Sequence, residues 1–212
     1  MNTFEKPGIC RVIAFIDGQN VFHCVREIFG HKSPNYNVKK LAEMVCAKKV
    51  EDNWKVEGIN FYTGIPDEKY DKWWSSFWKN KLRDMKNSEI TCISRTLKYE
   101  DGFDTSFGGK IPRKIGREKG IDVKIALDVI KATLDNACDV ILIFSQDQDL
   151  AEVVPDVNRI ACEQKRWMRV ASAFPKSNIN ATTYGIRGTI QIPYTQLEYD
   201  ICIDHKRYGP RS

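Results

Sequence analysis

The chain has 212 residues, 42% of them apolar and 29% charged, which is ordinary for a globular protein and enough to bury a sizeable core without disulfides or zinc. No apolar stretch approaches the length that crosses a bilayer, and the start lacks a basic region followed by an apolar run, so neither a membrane span nor a signal peptide is expected. The formal net charge of +5 is by itself weak evidence for a nucleic-acid partner.

In chain order, Val12-Ile13-Ala14-Phe15-Ile16 is a short apolar run rich in β-branched residues, and places a first strand at 11–17. Residues 20–29 read as a helix stopped at Gly30. Residues 38–50 read as a second, with Leu41, Met44 and Val45 at helical spacing and Asn37 as its N-cap. A second strand follows at 54–62. Gly64-Ile65-Pro66-Asp67 opens a helix over about 67–87. There Trp74, Phe77 and Trp78 form one apolar stripe, leaving Trp73 as the outward aromatic. A third strand is expected at 89–98, then a glycine-rich, charged loop at 99–119. Residues 120–134 read as a helix whose apolar face is Val123, Ala126, Leu127 and Ile130. The fourth strand is at 137–144, followed by a mostly helical stretch at 148–164 that Pro155 kinks or restarts. Strands at 167–174 and, shorter, at 189–192 complete the pattern, and the last twenty residues read as an irregular tail. Alternating strands and helices imply parallel βαβ units wound right-handedly, an α/β fold with a mostly parallel central sheet. No linker or repeat divides residues 1–212, so one domain is expected, with its core at about 11–195.

Seven cysteines stand at 10, 24, 46, 92, 138, 162 and 202 without a C-x-x-C pair, which suggests a reducing, cytoplasmic setting. Cys138 and Cys162 lie on apolar segments and read as buried thiols. His23, His31 and His205 lack ligand spacing, so zinc is not expected. Common nucleotide cradles are missing, as are nucleophile-elbow and Ser-His-Asp patterns.

Acidic residues carry the chemistry. Asp17 follows the first strand, and Asp147 and Asp149 follow the apolar run 140–144. In open α/β sheets ligands sit outside the carboxyl ends of the strands, so separate segments aim carboxylates at the working edge. Carboxylates about 5 Å apart repel by roughly 3 kcal/mol at an effective dielectric near 20, and a hard divalent cation such as Mg²⁺ relieves this. Asp122 joins them from the first turn of its helix. Each acid taken alone also fits a helix cap or a partner of the helix dipole. Asp128 lies six residues after Asp122, on roughly the other side of the helix, where a surface pair with Lys124 or Lys131 accounts for it. Asn20 reads as a cap of the first helix or as a ligand of substrate or metal-bound water. Ser145 reads as orienting a carboxylate or shaping a turn. Residues 109–119 hold five cations and one acid, Glu118, and lead directly to Asp122.

Three segments together resemble a known family. Phe15-Ile16-Asp17-Gly18-Gln19-Asn20 is similar to the start of NYN domains, which belong to the PIN-like nucleases. Residues 119–128, beginning Lys-Gly-Ile-Asp, resemble that family's K-G-x-D helix, and Ser145-Gln146-Asp147-Gln148-Asp149-Leu150 resembles its S-G-D-x-D strand end. Residues 62–66 and 97–99 resemble the bacterial branch with a long insert before the K-G-x-D helix. The resemblance spans about residues 11–195 and implies a PIN-like three-layer α/β/α sandwich. It also implies a metal-dependent endoribonuclease with RNA as partner, no membrane, a homodimer left open, and Mg²⁺ or Mn²⁺ as cofactor. Asp17, Asp122, Asp147 and Asp149 become the metal-binding acids, and Asn20 and Asp128 accompany them in the catalytic set. Ser145 and Asn20, with Lys110, Arg113, Lys114, Arg117 and Lys119, become substrate contacts. Gln146 stands where the family has glycine, and there it would crowd the metal site or hold a phosphate. Two other readings compete. A Toprim-like fold also places D-x-D after a strand but wants glutamate at the position of Asp17, and an RNA-binding or adaptor module would need no catalysis.

Overall fold

The fold grows outward from the first strand, β1 (Cys10–Asp17), which is hydrogen-bonded on both edges. The computed structural model describes residues 4–104, 111–177 and 184–210. On one side β1 pairs in parallel with β2 (Trp54–Ile65), which pairs with β3 (Thr91–Thr96). On its other side come β6 (Val140–Phe144), β7 (Arg169–Pro175) and β8 (Ile190–Tyr194), also parallel. The strand order is therefore β3-β2-β1-β6-β7-β8. The order reverses between β1 and β6, and such a reversal opens a crevice at the carboxyl ends of the two strands.

Strand residues alternate between two cores, as the pleat requires. On one face Val12, Ala14 and Ile16 pack with Val21 and Val25 of α1 (Gly18–Phe29), Leu41 of α2 (Val38–Ala47) and Phe77 of α3 (Lys72–Asn87). On the other face Phe15, Ile141 and Ile143 pack with Ile121, Ile125 and Val129 of α4 (Ile121–Leu134) and Val157 of α5 (Val153–Glu163). This is the expected three-layer α/β/α sandwich. Asn37 caps α2 by accepting from the Lys40 N–H, and Gly30 ends α1 in the left-handed region, both as expected.

Several elements differ from the sequence expectation. The strand expected to end at 62 runs on to Ile65, so α3 begins at Lys72 behind an Asp71 cap. The expected loop at 99–119 is an antiparallel hairpin, β4 (Lys98–Asp104) with β5 (Ile111–Arg117). Its glycines and charges hid an alternation that becomes visible only when the two strands face each other. The buried face of α4 is Ile121, Ile125 and Val129, while Val123 and Leu127 are exposed. That helix is apolar on two sides, so periodicity alone chose the wrong one. Residues 148–152 form a 3₁₀ turn before α5, and Pro155 sits in the first turn of that helix, where it is tolerated. Cys162 is exposed rather than buried, because it lies on the outer face of α5; all seven cysteines are free thiols.

The expected irregular tail contains α6 (Gln196–Ile201), closed by a reciprocal capping box between Thr195 and Glu198. Its Tyr199 is fully buried. Beyond it the chain docks on Lys81, only 1% exposed, whose ammonium donates to Asn35 Oδ1 and the Tyr36 carbonyl at 2.9 Å. Asp204 pairs with it at 3.5 Å and the Tyr208 ring covers it at 4.8 Å. Burial pulls the Lys81 ammonium down to about 8. Lys81→Ala removes the cation and leaves Asp204 only its bonds from the Lys206 N–H and the Tyr208 hydroxyl, so urea unfolding is expected to show a loss of about 3 kcal/mol. An unchanged midpoint would mean that the segment after α6 is not held through Lys81.

Candidate active site

Asp17 is the last residue of β1 and the N-cap of α1. Its carboxylate accepts the Asn20 N–H at 3.0 Å. The helix-cap reading therefore holds for Asp17. A cap alone does not explain its surroundings. Asp17 is 7% exposed, and its carboxyl is pushed up to about 6, first by burial, then by the charges of Asp147 and Asp122. Asp147 caps the 3₁₀ turn after β6 through the Asp149 N–H at 3.0 Å, and Asp122 lies in the first turn of α4. Charges from two other segments thus act on Asp17 at the β1/β6 crevice.

A fourth carboxylate stands here that the sequence reading had counted only as the lone acid of a basic run. Glu118 is half-buried, and burial followed by the charges of Asp17 and Asp122 pushes it up to about 7. Its Oε2 is buried without a hydrogen bond of good geometry, although the Gly64 N–H lies near enough to offset part of that rise. Gly64 admits it: a β-carbon there would lie 2.6 Å from that oxygen. Gly120 then turns the chain into α4 with φ 74°, and a β-carbon there would meet the Arg95 guanidinium at 2.6 Å. The signal available in the sequence was one acid between β5 and the K-G-x-D helix.

The remaining candidates divide. Asn20 Oδ1 accepts the Gln146 N–H at 2.9 Å and so ties the end of β1 to the end of β6. Ser145 is buried, and its Oγ accepts the Asp147 N–H at 3.1 Å, which is turn chemistry. Asp149 is exposed on the rim. Asp128 is not among the converging acids. It pairs with Lys124, as the helix spacing indicated, and accepts from the Tyr62 hydroxyl at 2.8 Å. Tyr62 is the register partner of Asp17, so Asp128 steadies the strand beside the site. The Gln146 amide donates to the Tyr184 carbonyl at 2.8 Å, so its side chain is committed to that segment.

Of the expected substrate cations, Arg113, Lys114 and Arg117 lie on β5 and Lys119 just after it, and the last three carry ion pairs. Lys114 meets Asp101 at 2.8 Å, while Arg117 and Lys119 both reach Glu100. Arg113 has interactions of its own, and Lys110 falls outside the described residues. An exposed pair of this kind contributes at most about 1 kcal/mol, so a phosphate can displace it.

The donor set suits a hard oxygen-loving cation, and the buried Glu118 oxygen suits a ligand or its bound water. Among the described residues, however, no three carboxylate, thiol or imidazole groups are placed to hold one ion together. Mg²⁺ needs fewer, since it keeps several waters and is often held by one or two carboxylates.

Fold and site together define an α/β protein with an acidic crevice at the switch point of a parallel sheet. The NYN domain model matches residues 11–187, and the chain belongs to that family, a nuclease-type family of PIN-like fold. Among curated proteins none matches. Two solved structures are similar at a distance. A protein of unknown function from Vibrio parahaemolyticus is 18% identical with a TM-score of 0.47, covering 80% of this chain and 83% of its own. MurG from Acinetobacter baumannii is 9% identical with a TM-score of 0.33, covering 86% of this chain and 46% of its own. Among the described residues no helix is long and apolar enough to cross a membrane.

The electrostatics give a stability test without metal. Asp17 titrates higher folded than unfolded, 3.8 rising to about 6, so its contribution is complete below about pH 4 and is lost as pH rises through 6. Asp17→Asn keeps an oxygen for the Asn20 N–H and carries no charge. Urea unfolding at pH 8 is expected to find the variant more stable than the parent by on the order of 3 kcal/mol, with the gain vanishing near pH 4. A variant no more stable at pH 8 would show that the Asp17 carboxyl is not held buried against neighbouring charge.

Proposed function

We propose that the chain is a metal-dependent ribonuclease that hydrolyses RNA phosphodiester bonds with Mg²⁺ or Mn²⁺ at the β1/β6 crevice. The observation that carries the reading is the buried Asp17 carboxyl at the end of β1, on which the charges of Asp147 and Asp122 from two other segments act, at the working edge of a NYN-family sheet. Asp17, Asp122, Asp147 and Asp149 would hold the cation and its waters, with Glu118 beside them. Bound there, a divalent cation neutralises phosphate charge and lowers the pKa of water to supply hydroxide. The chain's own part is positioning. Asn20 and Ser145 fix the backbone at Gln146 and Asp147, so the carboxylates are arranged before substrate arrives. Burial of Asp17 keeps the local dielectric low, which strengthens its interaction with any cation. Arg113, Lys114, Arg117 and Lys119 line the approach from the hairpin, where RNA phosphates would replace Glu100 and Asp101 as partners.

A second reading, a non-catalytic RNA-binding or adaptor module, draws on one observation: no three ligand groups stand together among the described residues. Cleavage decides between them. The purified protein is expected to cut single-stranded RNA with Mn²⁺ or Mg²⁺ and not with EDTA. Asp147→Asn, which still caps the 3₁₀ turn, is expected to lose at least about 10²-fold in rate without a lower melting temperature. RNA that is bound but never cut with either metal would establish the adaptor, and an unfolded Asp147→Asn would make that residue a structural cap only.

A further inference from the structure

An open groove of about 740 Å³ runs between the β4–β5 hairpin and the turn that precedes α3. Tyr70 and Tyr99 stack within it, ring centroids 4.0 Å apart and planes 28° from parallel. Tyr99 is fixed from behind. Its hydroxyl accepts the Asp67 N–H at 3.2 Å, and its ring lies so close to Gly116 that a β-carbon there would be 3.1 Å from it. Tyr70 is thereby presented to solvent on a rigid backing, 41% exposed, with the Lys69 ammonium 5.5 Å from its ring centroid. Phe103, 57% exposed, faces the same groove from β4. A soluble protein has little reason to hold three aromatic rings in an open groove unless something stacks there.

Two further features choose the occupant. Three cations line the groove, Lys69, Arg113 and Lys114, against one carboxylate, Asp71, so its charge favours a polyanion. The groove also adjoins the acidic crevice. Leu97 lines it and reaches both Gly116 and Gly64, and Gly64 is the residue against which the buried Glu118 oxygen lies. Rings for bases and cations for phosphates, beside the carboxylates, are the parts of a single-strand nucleic-acid channel.

We propose that this groove holds unpaired bases of the RNA strand whose backbone continues into the β1/β6 crevice, with Tyr70 backed by Tyr99 as the stacking platform and Phe103 as its opposing ring. The inference rests on the reading of the chain as an RNA nuclease. It makes the chain selective for single-stranded over paired RNA, because a base must leave its helix to reach Tyr70. The aromatic Trp73, outward on α3 as the sequence indicated, is a poorer platform: its ring stacks on Phe77 and abuts Gly209.

Binding in EDTA separates this inference from catalysis. A labelled single-stranded RNA of about 12 nucleotides, and a blunt duplex of the same sequence, are titrated by fluorescence anisotropy with the parent, Tyr70→Ala, Phe103→Ala and Tyr70→Trp. Tyr70→Ala and Phe103→Ala are expected to weaken single-strand binding by roughly 5- to 150-fold, with Tyr70→Trp near the parent and duplex binding within about twofold. Melting temperatures of the exposed-site variants are expected to match the parent. Single-strand affinities unchanged in both alanine variants, or strand and duplex weakened alike, would overturn the groove. A parent that binds in EDTA through Tyr70 but never cuts RNA with Mn²⁺ would sink the nuclease reading and leave the groove standing.

Discussion

The structure depends on one unfavourable arrangement: the Asp17 carboxylate is buried at the end of the central strand, with other carboxylates acting on it. β1 can take this place because it is hydrogen-bonded on both sides and, with β6, ends where the strand order reverses. Everything nearby holds that end still. The Asn20 N–H caps Asp17, the Asn20 side chain grips the backbone after β6, and Tyr62 opposite is anchored by Asp128. Structure that opposes charge repulsion in this way is expected where function needs the charges together.

Much of this was legible in the sequence because the signals were local. The apolar runs 12–16 and 140–144 are the two strands at the switch point, and the acids directly after them fall where strand ends must fall. Asn37, Gly30 and the Trp74, Phe77 and Trp78 stripe could be read for the same reason: capping and helical periodicity act over a few residues. What could not be read depended on contacts far apart in the chain. Glu118 becomes part of the site only because Gly64, in another strand, leaves room for it. The hairpin needs two segments to face each other before Glu100 and Asp101 can meet Arg117 and Lys114. The tail after Tyr194 looked irregular because its anchor, Lys81, lies more than a hundred residues away. Asp128 shows the converse. The helix-face argument separated it from the acidic group, and its place among the site residues came from the resemblance alone.

The hairpin changes how the basic run bears on function. As a loop, its cations would have been free to gather phosphates wherever they moved. As a two-stranded ribbon, it holds Lys114, Arg117 and Lys119 in ion pairs, sets Tyr99 against Tyr70 and brings Phe103 to the same groove. On the proposed reading, charge would give attraction without base choice and the rings a preference for unpaired strands. Gln146 belongs to the same economy of contacts, its amide binding the Tyr184 carbonyl rather than filling the acidic crevice.

The central claim is that the carboxylates at the β1/β6 crevice form a divalent-cation site. Calorimetric titration of the RNA-free protein with Mn²⁺ tests it most directly, with Asp17→Asn and Asp147→Asn alongside. The account predicts one saturable site in the parent whose affinity falls by about 10- to 100-fold in each variant. Absence of saturable binding in the parent, or undiminished affinity in Asp17→Asn, would contradict it.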